Sequence, residues 1–128
     1  GDGEINEGQI WEAAATASHY HLDNLVAITD VNGLQNDAET KKVKDMLDIA
    51  EKWRAFGFHT IEIDGHDFSE IFAALDEARA HKGQPAAIIS HTVKGKGVSF
   101  MENVVAFHGK TPTKEEYERG MQELENAV

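Results

Sequence analysis

Hydrophobic positions along this chain alternate between two spacings, one typical of helices and one typical of strands. Apolar residues three to four positions apart predict helices over 6–20, 42–56, 69–81 and about 113–126. Short apolar runs between them predict strands over 25–29, 60–63 and 86–91. The first run is apolar throughout except for its last residue, as in a parallel strand buried on both faces. The alternation predicts an α/β fold, a parallel sheet with flanking helices.

Local signals mark where these elements begin and end. Asn32 and Gly33 form a turn signal after the first strand. Gly57 stands where a helix C-cap belongs, and Thr113 and Glu116 have the spacing of a capping box. These signals support the helix boundaries that the hydrophobic spacing predicts.

Composition and charge narrow the classes of partner. At 128 residues and 41% hydrophobic, the chain has the size and core of one domain. Its net charge of −11 argues against nucleic acid and anionic membrane as partners. There is no cysteine and no apolar run long enough to span a bilayer, and no targeting signal is visible. These observations favour the cytoplasm, with neither nucleic acid nor membrane as a partner.

Two short polar turns carry the candidate chemistry. Asp2 lies between Gly1 and Gly3, and Asn32 follows the first predicted strand. In an open parallel sheet, both turns would lie at the carboxyl edge, where ligands bind. Carboxylate, amide and carbonyl oxygens suit Mg²⁺ or Ca²⁺, and the backbone carbonyl of Leu34 is a third candidate ligand. Glycine backbone can approach a phosphate closely. On spacing alone, two ordinary turns explain the same residues.

Longer stretches of sequence resemble a known enzyme family. They are EGQIWEAA at 7–14, LDNL at 22–25, DVNGLQ at 30–35, WRAFG at 53–57 and KGKGVSFMEN at 94–103. With the GDG turn and Asn32 about thirty residues later, they resemble transketolase, a thiamine diphosphate enzyme. The resemblance runs from residue 1 to about residue 115 and is strongest to the N-terminal, diphosphate-binding subunit of the split-gene type.

The resemblance implies metal and cofactor roles for the two turns. Asp2 and Asn32 match the side chains that bind the metal ion in the family, and Leu34 matches the residue whose carbonyl binds it. Gly3 and Asn32 also match residues that touch the cofactor diphosphate. The implied cofactor-binding set is Gly1, Asp2, Gly3, Asn32, Leu34, Lys94 and His108.

Three further residues receive roles from the same resemblance. Lys94 and His108 match a Lys and a His that flank the cofactor and the donor sugar, with His108 as the catalytic candidate. An imidazole can move a proton or bind a substrate hydroxyl, and a lysine can reach a phosphate. Glu7 matches an acidic residue at the dimer interface. Read without the resemblance, His108 is an ordinary surface histidine.

The remaining histidines match no catalytic motif, and we assign them to surface or packing roles. They are His19, His21, His59, His66, His81 and His91. The turn Gly65-His66-Asp67 is expected to be a plain strand-end turn without a role in the site.

The sequence departs from the family pattern in two ways. Ala38 stands where the family usually has glycine, which would strain the backbone if a positive φ were needed. Upstream cofactor and substrate residues of the family, and its pyrimidine-binding domain, have no counterpart here. We therefore expect residues 1–128 to be the C-terminal portion of a diphosphate-binding domain whose N-terminal part is missing, a fragment that begins at the GDG motif.

The function implied is part of a transketolase, which moves a two-carbon ketol unit from a ketose phosphate to an aldose phosphate, as in the pentose phosphate pathway. The resemblance implies thiamine diphosphate and either Mg²⁺ or Ca²⁺ as cofactors. It implies a pyrimidine-binding C-terminal subunit and the missing N-terminal segment as partners. The complete assembly would be a homodimer or a heterotetramer. The chain alone would be inactive. Two alternatives stay open: a non-catalytic module that binds a metal–diphosphate or a partner subunit, and another thiamine diphosphate enzyme such as 1-deoxyxylulose-5-phosphate synthase.

Overall fold

A computed structural model describes residues 1–127 and confirms the alternation of strands and helices. In chain order the elements are a 3₁₀ turn Glu4–Asn6, α1 Gly8–His19, β1 Val26–Val31, α2 Thr40–Lys44, α3 Ile49–Ala55, β2 His59–Asp64, α4 Phe68–Ala80, β3 Ala86–His91, a second 3₁₀ turn Val105–His108 and α5 Lys114–Asn126. Among these described residues, no helix has the length and apolarity needed to cross a membrane.

The three strands form one parallel sheet in the order β1-β3-β2. The central strand, β3, is buried from Ala86 to Ile89, which explains its continuous apolar run. Ala87 and Ile89 belong to the core cluster that includes residues of α1 and α3. Ala86 and Ile88 belong to the cluster that includes residues of α4. Because the three strands are parallel, their carboxyl ends meet at one edge of the sheet.

Trp53 on α3 forms the centre of the larger core cluster. It is 4% exposed, and its ring lies 5.2 Å from that of Trp11 and 4.9 Å from that of Phe58. Its Nε1 donates a hydrogen bond of 3.0 Å to Oγ1 of Thr29, which is buried on β1. The hydrogen bond satisfies two buried polar groups and fixes α3 against the strand that leads to Asn32.

The single helix predicted over 42–56 is wrong, because the chain breaks it into α2 and α3. Leu47 has a φ of +54° and is 76% exposed. Oδ1 of Asp45 accepts from Leu47 N, and Oδ1 of Asp48 accepts from Glu51 N, each at 2.8 Å. Aspartate side chains that bond to nearby backbone N–H groups compete with helical hydrogen bonds. The break places Thr40 on a separate short helix. The first predicted helix is also trimmed at its start, since Asn6 lies in the 3₁₀ turn.

One face of the sheet is only partly covered. α4 packs on β2 and β3, whereas Ile28 on β1 is 61% exposed and Val26 is 36% exposed. On α4, Phe68 and Phe72 are 74% and 64% exposed. We call these four residues the open apolar face.

Candidate functional site

Asp2 connects the first turn of the chain to the loop after β1. Its backbone N–H donates to the carbonyl oxygen of Asp30 at 2.9 Å. The side chain is buried, with 3% of the residue exposed. Its Oδ1 accepts from Gly3 N at 3.0 Å, and its Oδ2 accepts from Gly33 N at 2.8 Å and from Oγ1 of Thr40 at 3.1 Å. The two turns singled out in the sequence are thus joined through one carboxylate.

Asn32 and Leu34 continue this arrangement in the loop after β1. Oδ1 of Asn32 accepts from Leu34 N at 2.9 Å, and Gly33 between them has a φ of +75°. Thr40 N donates to the carbonyl of Gly33 at 2.9 Å, which closes the loop. Within residues 1–127, the Leu34 carbonyl accepts no hydrogen bond. It therefore remains available as a ligand.

A cavity of about 410 Å³ opens above these loops and collects most of the predicted site. Of the residues predicted from sequence, those that line it are Gly1, Gly3, Glu7, Asn32, Leu34 and His108. Asp2 is buried and lines a different cavity, of about 370 Å³, together with Gly33 and Thr40. Glu4, Glu7 and Asp37 give the lining an acidic character, so a bound anion such as a diphosphate would need a cation beside it.

Lys94 lies in a separate, adjoining cavity. This second cavity is about 480 Å³, and Asp30, His66 and Lys96 line it together with Lys94. Asn32 borders both cavities. The structure thus does not bring Lys94 and His108 into one cavity, but Asn32 lines both of the cavities that these residues line.

His108 ends the second 3₁₀ turn and is exposed at the mouth of the first cavity. The segment after it is held by Lys110, whose Nζ lies 2.7 Å from Oε1 of Glu116 and 4.7 Å from the centre of the Phe107 ring. The Lys110 ammonium lowers the pKa of Glu116, with help from the backbone N–H of Thr113. The stability that this pair contributes is present at neutral pH and is lost as the pH falls through the lowered pKa of Glu116.

Comparison with known proteins identifies the family. Residues 1–125 match the family described as "Transketolase, thiamine diphosphate binding domain". The chain belongs to this family. The transketolase domain is 45% identical over 125 residues to a 6-deoxy-6-sulfo-D-fructose transketolase subunit of Clostridium sp. (strain MSTE9), covering 98% of this chain and 46% of that protein. It is 43% identical over 129 residues to human transketolase, covering all of this chain and 20% of that protein.

Another relative and a solved structure agree with this assignment. One of the subunits of the apulose-4-phosphate transketolase of Phocaeicola vulgatus is 40% identical over 128 residues, covering all of this chain and 46% of that protein. The crystal structure of transketolase from Campylobacter jejuni superposes with a TM-score of 0.88 at 27% identity, covering 94% of this chain and 19% of that chain. The transketolase domain thus spans less than half the length of these relatives.

Sequence reasoning missed two residues of this candidate site. Thr40 donates to Asp2 from a position 38 residues further along the chain, and no short motif marks it. Gln35 lines the first cavity, and its Oε1 is buried with no hydrogen-bond partner among the described residues. A Cβ at Gly3 would lie 2.7 Å from Cβ of Gln35, so this position requires glycine for lack of space. The sequence did indicate that Gln35 lies near the site, since it is the last residue of the DVNGLQ motif.

The departure at Ala38 has no cost in backbone strain. The residues other than glycine with positive φ in the described chain are His21, Leu47 and Asn103. Ala38 instead accepts a hydrogen bond of 3.0 Å from Gln35 N within the loop after β1.

The oxygens of Asp2, Asn32 and Leu34 are of the chemical type that a hard divalent cation prefers. Oδ1 of Asp2 accepts one hydrogen bond, as does Oδ1 of Asn32, so each keeps a free lone pair, and the Leu34 carbonyl keeps both. Nowhere in residues 1–127 do three His, Asp or Glu side chains form a metal cluster of their own. A cation here would therefore complete its coordination with phosphate oxygens and water.

Proposed function

We propose that this transketolase domain is the part of a transketolase that holds the divalent cation and the diphosphate of thiamine diphosphate. In this proposal, residues 1–128 are the C-terminal portion of the diphosphate-binding domain. The single observation that carries it is the buried carboxylate of Asp2, which joins two loops. In the loop after β1, Oδ1 of Asn32 keeps one free lone pair and the Leu34 carbonyl keeps both, beside an acidic cavity. Such an arrangement suits a cation that bridges protein oxygens and a diphosphate.

Each residue of the site then has a defined task. Asp2, Asn32 and Leu34 bind Mg²⁺ or Ca²⁺ through oxygen. Gly1 and Gly3 let the backbone approach the diphosphate. When bound, thiamine diphosphate supplies the carbon nucleophile that accepts and passes on the two-carbon unit. The contribution of the chain is to position this group and to neutralise its charge.

His108 and Lys94 act beside the cofactor in this proposal. The His108 imidazole, at the mouth of the first cavity, exchanges a proton with a hydroxyl of the sugar phosphate or donates a hydrogen bond to it. Lys94, in the second cavity, provides a positive charge that attracts phosphate. Both roles support transfer of a ketol unit between sugar phosphates.

A partner must complete the active site. Two relatives are named as transketolase subunits, which supports a partner subunit for this chain as well. We assign to that partner the pyrimidine-binding domain. Glu7 is exposed on the rim of the first cavity, where a second polypeptide could contact it. The complete enzyme would be a homodimer or a heterotetramer.

The first prediction concerns this assembly. We expect ketol transfer from a ketose phosphate to an aldose phosphate only when the full-length subunit to which residues 1–128 belong is mixed with its pyrimidine-domain subunit, thiamine diphosphate and Mg²⁺. Product formation in a coupled assay measures the activity, and each component alone is the control. Addition of EDTA should remove the activity, and excess Mg²⁺ should restore it. Ketol transfer that persists at saturating EDTA would contradict the proposal.

The open apolar face favours a second candidate function, a non-catalytic assembly module. Val26, Ile28, Phe68 and Phe72 present exposed apolar side chains that polypeptide association would cover. In the same mixture, stable association without cofactor binding or ketol transfer would support this function over the first.

The second prediction is that His108→Ala lowers the turnover number of the assembled enzyme by about 100-fold or more, the range for removal of a general acid–base group. Binding of thiamine diphosphate should weaken less than the turnover number falls, because the proposed metal ligands Asp2, Asn32 and Leu34 are untouched. His19→Ala is the matched control, since His19 is exposed on α1. Equal activity of the two variants would remove His108 from the catalytic role.

A further inference from the structure

His66 contacts the backbone of the loop that carries Lys94. Its Nε2 lies 2.8 Å from the backbone nitrogen of Val93. A backbone N–H can only donate, so Nε2 accepts this hydrogen bond and carries no proton. His66 also lines the second cavity together with Lys94. The His66 side chain therefore borders the cavity that Lys94 lines, although the sequence predicted only a plain turn there.

The turn that carries His66 is fixed to the sheet. Gly65 N donates to the carbonyl of His91 at 2.8 Å, and His66 N donates to Oδ1 of Asp64 at 2.8 Å. A Cβ at Gly65 would clash with Oγ of Ser90, so the turn packs directly on the end of β3. The turn that carries the imidazole is therefore hydrogen-bonded to the end of the sheet and packed against it.

The loop that carries Val93 and Lys94 is also held by internal hydrogen bonds and close contacts. The Lys94 carbonyl accepts from Asn103 N at 3.0 Å, and the Val93 carbonyl accepts from Lys96 N at 3.1 Å. Gly95 has a φ of +79°, and a Cβ there would lie 2.7 Å from the carbonyl oxygen of Met101. The loop thus behaves as one unit, and His66 attaches its first residue to the turn after β2.

We propose that His66 is a positioning residue that sets the location of Lys94 relative to the cofactor site. The hydrogen bond to Val93 fixes the residue immediately before Lys94, so a shift of this bond moves the lysine within the second cavity. The inference rests on the role given to Lys94 in the proposed function. His66 itself contacts neither cofactor nor substrate in this account.

Three substitutions of His66 test the acceptor. In the assembled enzyme, His66→Leu removes the acceptor at similar volume, and His66→Asn offers an oxygen too close to the backbone to reach Val93. His66→Gln places an acceptor oxygen near the position of Nε2. We expect Leu and Asn to lower kcat/KM for the ketose phosphate about tenfold, as one lost hydrogen bond would. Gln should restore it to within about twofold of the parent.

A double-mutant cycle shows whether the effect passes through Lys94. Once Lys94→Met has removed the ammonium group, His66→Leu should lower kcat/KM no further. An equal loss in both backgrounds, or no rescue by glutamine, would overturn the proposal. If the leucine variant does not fold, the comparison of the glutamine and asparagine variants decides the question.

Hydrogen–deuterium exchange separates this inference from the proposed function. The peptide that contains Val93 to Gly97 should exchange faster in His66→Asn than in the parent, and His66→Gln should exchange like the parent. This readout needs no substrate. Unchanged exchange in His66→Asn overturns the positioning role. Faster exchange together with a Lys94→Met variant of full activity would instead count against the role proposed for Lys94.

Discussion

Replacing Asp2 with alanine should abolish metal-dependent binding of thiamine diphosphate and also destabilise the domain. The carboxylate is the charged member of the proposed ligand set, so its loss leaves the cation with neutral protein oxygens. It is also the acceptor for Gly3 N, Gly33 N and Oγ1 of Thr40. A buried donor left without an acceptor costs about 1–3 kcal/mol, so we expect the free energy of unfolding to fall by roughly 2–4 kcal/mol.

Two control variants separate these effects of Asp2. Thr40→Val removes one donor to the carboxylate without touching a ligand, so it should lower stability by about 1–2 kcal/mol and keep cofactor binding. Asp37→Ala removes a carboxylate that also borders the first cavity and should affect neither property strongly. Calorimetric titration of thiamine diphosphate with Mg²⁺ into the assembled enzyme measures binding, and urea denaturation measures stability. Unchanged cofactor affinity in Asp2→Ala would refute the assignment of the site.

Trp53→Ala should lower the free energy of unfolding by about 3–5 kcal/mol, the usual cost of truncating a buried tryptophan. Trp53 is 4% exposed and packs between the rings of Trp11 and Phe58. The substitution creates a cavity and leaves Oγ1 of Thr29 without its donor. Because Thr29 lies on the strand that leads to Asn32, the site should loosen together with the core.

Matched variants resolve the two contributions of Trp53. Trp53→Phe keeps most of the packing and loses the hydrogen bond, so a loss of about 1–2 kcal/mol is expected. Tyr117→Ala removes an aromatic side chain that is 60% exposed and should change stability by less than about 0.5 kcal/mol. Urea denaturation of the three variants measures their free energies of unfolding, which should fall in the order Tyr117→Ala, Trp53→Phe, Trp53→Ala. A Trp53→Ala variant as stable as Tyr117→Ala would show that α3 is not anchored through this residue.

The sequence allowed the fold to be predicted where local patterns dominate. Strands predicted at 25–29, 60–63 and 86–91 are present as β1, β2 and β3. The continuous apolar run of β3 matches its burial, whereas the expectation that the first strand is buried on both faces is wrong, because β1 is an edge strand that leaves Val26 and Ile28 exposed. The helix predicted over 42–56 failed because apolar spacing continues through 45–48 while two aspartates bond to the backbone there. In the sequence, the apolar spacing is a clearer pattern than the tendency of an aspartate side chain to bond to nearby backbone N–H groups. The break was therefore not predicted, although the aspartate hydrogen bonds prevail in the structure.

The site was predictable to the extent that short motifs carry it. Asp2 contacts the loop of Asn32 and Leu34, because that loop follows β1 and its Gly33 N–H donates to the Asp2 carboxylate. Their roles as ligands stay a prediction. Thr40 and His66 were not predictable, since each acts through a hydrogen bond to a residue at least 27 positions away. The resemblance places Lys94 and His108 beside one cofactor, whereas in the structure the two residues line different cavities.

The three hydrogen bonds that the Asp2 carboxylate accepts also affect how the evolution of related sequences should be interpreted. A descendant that lost its reaction through changes elsewhere would still be selected to keep Asp2, because the aspartate joins two loops of the fold. Its presence in a homologue is therefore weak evidence for activity. Among residues 1–127, the Asn32 side chain, by contrast, accepts only from its near neighbour Leu34. Asn32 is freer to drift once catalysis is no longer needed, so its replacement would be the earlier sign of a lineage that has become inactive.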